Sequence, residues 1–183
     1  MNSYFYESEI TGDIYQRIFE KSNKKDCSIP LEDLRYLKVL HYGFDNETHT
    51  GESVVNASIS GVVLSIFKDL YEEKYPIEKI CLVDEYDADD NASMSDNNTS
   101  CFNYRTVDSS TKMSKHSLGL AIDINPLYNP YVRTIDGNLS VLPVEGAAYV
   151  DRSVDSPYLI QEDDICYKIF IRYGFTWGGE WSS

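Results

Sequence analysis

An α+β fold, with a small, mainly antiparallel sheet and flanking helices, is what this chain of 183 residues predicts, and three stretches carry that expectation. Between residues 56 and 74, Val62, Val63, Ile66, Phe67 and Leu70 recur at helical spacing, which makes an apolar stripe suited to packing on a sheet. Pro76 stops that helix, and Ile77-Glu78-Lys79-Ile80-Cys81-Leu82-Val83 reads as a strand. From Leu120 to Ile124, apolar Leu120, Ile122 and Ile124 alternate with small Ala121 and polar Asp123, as in a second strand with one aliphatic face.

The remaining elements follow in chain order. Asp13 to Glu20 reads as a short helix, and Ser28 to Leu34 as a turn, so residues 1–29 form a helical lead-in and residues 30–183 the main domain. A polar loop is expected from Asp84 to Ser100, long enough to suggest a functional role. Its acids Asp84, Glu85, Asp87, Asp89 and Asp90 do not fit a calcium-binding EF-hand. An alignment starting at Asp87 puts Ala92 where the glycine is needed and Asn98 where the bidentate glutamate belongs, so a solvated acidic loop is expected. Asn125 to Pro143 reads as a long irregular excursion. Near the end, Glu162-Asp163-Asp164 precede Ile165, Cys166, Ile169, Phe170 and Tyr173, with Gly174 as the stop, which is the pattern of a helix with acids at its start. There is no repeat and no long linker.

Composition bounds the function. A hydrophobic content of 42% supports one folded domain, while a net charge of -14 and a pI near 4.5 argue against nucleic acid or an anionic membrane surface as a partner. No basic region with a following apolar core opens the chain, and no apolar run approaches the length of a membrane span. Cys27, Cys81, Cys101 and Cys166 lie far apart without a Cys-x-x-Cys pair. They give no zinc-ribbon or redox-motif signal, and disulfides stay open on sequence alone.

The most informative segment is Ser114-Lys115-His116-Ser117-Leu118-Gly119-Leu120-Ala121-Ile122-Asp123. Two side chains share a zinc only if each comes within about 2 Å of it. Seven residues of strand span roughly 23 Å and seven of helix roughly 10 Å. The chain must therefore turn between His116 and Asp123, and Gly119 has free access to positive φ there. On spacing alone, a loop histidine beside a solvated aspartate at a strand edge is the simpler reading.

The same segment resembles the Ser-x-His-x-x-Gly-x-Ala-x-Asp motif of the VanY-like zinc D-alanyl-D-alanine carboxypeptidases and the related L-alanyl-D-glutamate endopeptidases. Ser114, His116, Gly119, Ala121 and Asp123 fill its fixed positions, and Asn125-Pro126 follows. Gly174-Phe175-Thr176-Trp177-Gly178-Gly179-Glu180-Trp181 resembles the family's Gly-Phe-x-Trp-Gly-Gly-x-Trp block. The stretch from Ser93 to Phe102-Asn103-Tyr104-Arg105 resembles the loop that carries its essential arginine. The resemblance covers residues 30–183 and implies a zinc peptidase domain with the DD-peptidase (hedgehog-like) zinc fold.

What the resemblance implies is zinc held by His116 and Asp123, with Arg105 stabilising the oxyanion on the scissile carbonyl. It further implies Ser114 and Trp177 as substrate-binding residues, with core packing an equal alternative for Trp177 and orientation of His116 one for Ser114. The substrate would be peptidoglycan stem peptides, met by a monomer acting outside the cell or in the cell wall. The family continues past its Trp block to an Asp-x-x-His that provides the general base and the third ligand. This chain stops at Ser183, so a truncated chain is the expectation. Glu180 is a weak stand-in for the base, and His41 and His49 are the remaining candidate ligands. The alternative reading is a catalytically inactive cell-wall-binding or structural domain.

Overall fold

The computed structural model describes residues 4–107 and 112–180; Trp181, singled out above, lies outside them. The fold is α+β. Its centre is a three-stranded antiparallel sheet in the order β1-β2-β3, formed by β1 (Tyr6–Ser8), β2 (Leu34–Tyr42) and β3 (Thr48–Asn56). The long β2–β3 ladder runs from Leu34 opposite Asn56 to Tyr42 opposite Thr48.

Both faces of this sheet are covered, and the alternation of side chains says by what. Leu37, Val39 and Val55 face helix α2 (Ser60–Glu72), whose Val63, Ile66, Phe67 and Leu70 form one stripe. Helix α4 (Ile165–Arg172) adds Cys166 and Ile169 to the same core. The intervening residues Leu34, Tyr36 and Val54 face the other way, against Ile10, Ile18, Leu82 and Phe102. The N-terminal segment thus supplies edge strand β1 and a helix, α1 (Gly12–Ile18), whose Ile18 packs on the second face.

Helix α4 begins where the acids predict: Asp164 is its N-cap and accepts from the amides of Cys166 and Tyr167, and Gly174 ends the segment at φ +86°. Elsewhere the structure corrects the expected elements. The strand at 77–83 shrinks to β4 (Lys79–Ile80), because the Cys81 amide donates to the Asn98 side chain at 2.8 Å rather than to a ladder. β4 pairs in parallel with β5 (Asn98–Thr99).

The stretch 84–100 is not an irregular loop, and of the acids at 84–90 only Glu85, Asp87 and Asp89 are solvated. It holds a 3₁₀ turn at Val83–Tyr86 and helix α3 (Asp90–Ser95), capped by Asp89 accepting from Ala92 at 3.0 Å. Asp84 is buried and accepts from both the amide and hydroxyl of Ser22 at 2.9 and 3.0 Å.

Leu120 to Ile124 is likewise not a strand. Leu120 still bonds back to Lys115, and Asn125 turns away at φ +44°, leaving room for one antiparallel bridge between Asp123 and Ser100. Ile124 is buried as expected, whereas Leu120 is exposed. The excursion after Asn125 contains a hairpin of β6 (Tyr131–Ile135) and β7 (Asn138–Leu142). Its two-residue turn, Asp136-Gly137, has both φ values positive, as tight hairpins require.

Candidate metal and catalytic site

The site is assembled from three pieces of chain. One is the 3₁₀ turn Lys115–Leu118, another is the strip from Cys101 to Arg105 beside it, and the third is the bridge residue Asp123. Ser114 caps the turn, its hydroxyl accepting from the His116 amide at 3.2 Å. Gly119 ends it in the left-handed region at φ +64°, and its carbonyl accepts from the Asn56 amide at 2.9 Å. The Asn56 side chain donates to the Leu118 carbonyl at 2.9 Å, so the turn is clipped to the end of β3. A Cβ at Gly119 would sit 2.6 Å from the Asn56 nitrogen. Both the backbone conformation and this close approach therefore demand glycine.

That turn brings His116 back onto Asp123, and the imidazole Nε2 faces the carboxylate Oδ2 at 3.3 Å. His116 Nδ1 lies 2.6 Å from the Cys101 carbonyl, which can only accept. The proton of a neutral imidazole is thereby held on Nδ1, and Nε2 offers its lone pair toward Asp123. His116 is nearly buried, whereas Asp123 keeps 35% of its side chain accessible, which is the open side of the pair.

The electrostatics follow from this geometry. Burial pulls the imidazolium of His116 down, but the facing carboxylate and its hydrogen bond outweigh that, so its pKa lies above the ordinary value. Burial pushes Asp123 up, but the charge of His116 outweighs it and leaves the carboxyl below its ordinary range. The Arg105 guanidinium is close enough to draw both values lower.

Arg105 itself is half-buried. Its Nη2 pairs with the Asp90 carboxylate at 2.6 Å, Nη1 donates to the Thr106 carbonyl at 3.3 Å, and Nε is buried without a partner among the described residues. Its main chain is clamped by Ser117, whose buried hydroxyl accepts from the Arg105 amide at 2.8 Å and donates to the Arg105 carbonyl at 2.6 Å. Ser117, Asn103 and Asp90 are site residues that reasoning from sequence missed. The serine stood beside the histidine inside the quoted motif, but nothing in its spacing showed that it faces inward.

Trp177 sits elsewhere in the packing. It lies on the main core, edge-on to Tyr167 at 5.6 Å, with Gly179 so close under the ring that a Cβ there would fall 2.4 Å from it. Glu180 accepts from the Tyr167 hydroxyl at 2.7 Å. His41 and His49 stack on each other at 5.4 Å where β2 pairs with β3. His49 is seven positions along β3 from Asn56, on the order of 23 Å from the end that holds the His116 turn. Neither histidine is a third ligand.

The pair fits zinc as half of a shell. Two donors about 2.0–2.1 Å from a tetrahedral zinc lie about 3.3 Å apart, and the His116–Asp123 separation is 3.3 Å. No group of three or more His, Cys, Asp or Glu side chains able to hold a metal occurs among the described residues. Residues 108–183 match the family model described as D-alanyl-D-alanine carboxypeptidase. No curated protein and no solved structure gives a significant match. The matched stretch contains His116, Asp123 and Trp177, so the part of the chain that carries the pair is similar to a family of peptidases.

Proposed function

We propose that this protein is a zinc-dependent hydrolase of peptide bonds in peptidoglycan stem peptides, of the D-alanyl-D-alanine carboxypeptidase type, with the DD-peptidase zinc fold. The observation that carries the reading is the His116 Nε2 to Asp123 Oδ2 juxtaposition at a metal-sharing distance of 3.3 Å, with the histidine tautomer fixed from behind by Cys101. The peptidase match over residues 108–183 supports it.

Zinc, when bound, supplies a Lewis acid that polarises a carbonyl and lowers the pKa of water. His116 and Asp123 would supply two of its ligands, and no third His, Cys, Asp or Glu side chain joins them among the described residues. Arg105, beside that pair, donates to the negative charge that develops on the scissile carbonyl oxygen, a role worth about a hundredfold or more in turnover. The same cation offsets the repulsion between a chain of net charge -14 and a carboxylate-bearing peptide. Ser114 keeps the His116 turn in place. Such a substrate implies a protein that acts outside the cell or in the wall.

The test is release of D-alanine from a stem peptide ending in D-alanyl-D-alanine, with wild type and His116→Ala assayed side by side with added zinc. Turnover by the wild type and none by the variant is expected. A zinc-loaded wild type that binds the peptide without cutting it would favour a non-catalytic wall-binding role instead.

A further inference from the structure

We propose that Asp90 is a positioning residue that presents Arg105 to the His116–Asp123 pair, acting through Arg105 without touching substrate. The proposal rests on the peptidase reading for its kinetic consequence, but not for its structural one. Arg105 is held at two points. Ser117 clamps its main chain to the turn that carries His116, through bonds of 2.8 and 2.6 Å. That leaves a long side chain with several rotatable bonds free to point anywhere, and such chains lose considerable entropy when ordered. The second point removes that freedom, since the Asp90 carboxylate takes Nη2 at 2.6 Å.

Asp90 is suited to the task because it is itself fixed. It begins α3, which Asp89 caps, and its other oxygen accepts from Asn103 Nδ2 at 3.3 Å. The Asn103 amide in turn donates to the His116 carbonyl at 3.1 Å, so Asp90, Asn103, His116, Ser117 and Arg105 form one connected frame. Both partners of the ion pair are about four-fifths covered, at 22% and 21% exposure, so solvent screens the pair less than an exposed one. A buried Nε with no partner among the described residues shows that the guanidinium is held by Asp90 and the Thr106 carbonyl, not by an all-round set of acceptors. With Asp90 removed, the part-buried guanidinium loses its carboxylate partner and is expected to swing toward water.

Two measurements test this. The first needs no activity. In the ¹⁵N-labelled protein, the Arg105 Nε–H resonance, assigned by its loss in Arg105→Lys, is expected to exchange slowly with solvent and to speed up at least about tenfold in Asp90→Asn. The second is a double-mutant cycle in turnover. Asp90→Asn alone is expected to lower kcat by about tenfold to a hundredfold with KM little changed, as for a displaced catalytic group. In the Arg105→Ala background the same change is expected to cost nothing further, and with Arg105 present Asp90→Glu is expected to lose less than Asp90→Asn. Unchanged Nε–H exchange in Asp90→Asn, or losses that add in the double variant, would overturn the proposal. An inactive wild type would count against the peptidase reading, and the exchange measurement would still decide the role of Asp90.

Discussion

At the scale of single residues, the site depends on one glycine and one carbonyl. Gly119→Ala combines a left-handed backbone with a contact of 2.6 Å to the Asn56 nitrogen. It is expected to cost about 2 kcal/mol or more of stability, read as a lowered denaturation midpoint. His116 and Asp123 carry a pH signature in the metal-free chain. The pKa of His116 is raised above 6.5, so its contribution is full below that value and fades as pH rises through the raised one. The pKa of Asp123 is lowered below 3.8, so its contribution is full above that value and fades as pH falls through the lower one. His116→Ala should therefore weaken the metal-free protein most between pH 3.8 and 6.5. A stability difference that does not vary with pH would contradict the pair. Because protons compete for Nε2, zinc affinity is expected to fall on acidification over the same region. Arg105→Ala is expected to retain zinc and lose about a hundredfold in turnover.

At the scale of elements, α4 shows which local signals suffice. Asp164 caps it at the predicted place, and Asp164→Ala is expected to cost about 1 kcal/mol in thermal or denaturant unfolding. Helices α2 and α4 were legible because their apolar spacing and stop residues are local and agree with their packing. The His116 turn was legible for a similar reason, since two potential ligands flank a glycine. The short strands were not, because side chains rather than sequence periodicity end them. Asn98 takes the Cys81 amide. Asn125 takes the Glu78 amide and donates to the Pro76 carbonyl, turning the chain just after Asp123. The β6–β7 hairpin did leave a signal in Asp136-Gly137, which the surrounding prolines and polar residues obscured. The β2–β3 ladder is buried on both faces, so its strands lack the clean polar alternation of a half-exposed sheet.

At the scale of the whole molecule, one sheet covered on both faces fixes the end of β3, and the site hangs from that end through Asn56. What sequence could not reveal is the frame behind the arginine. The acids at 84–90 read as a solvated run, yet Asp84 is buried against Ser22 and Asp90 holds Arg105 from a distance of fifteen positions. Only the fold brings such residues together. The four cysteines are free thiols, two of them buried in the core, so the thermal midpoint is expected to be the same with and without reductant. Whether His116 and Asp123 share a zinc ion is decided by calorimetric titration of zinc into the wild type, His116→Ala and Asp123→Ala. Binding of one zinc per wild-type chain, lost in both variants while their folds persist, is the expected result. Equal zinc binding by all three chains, or none by the wild type, would contradict it.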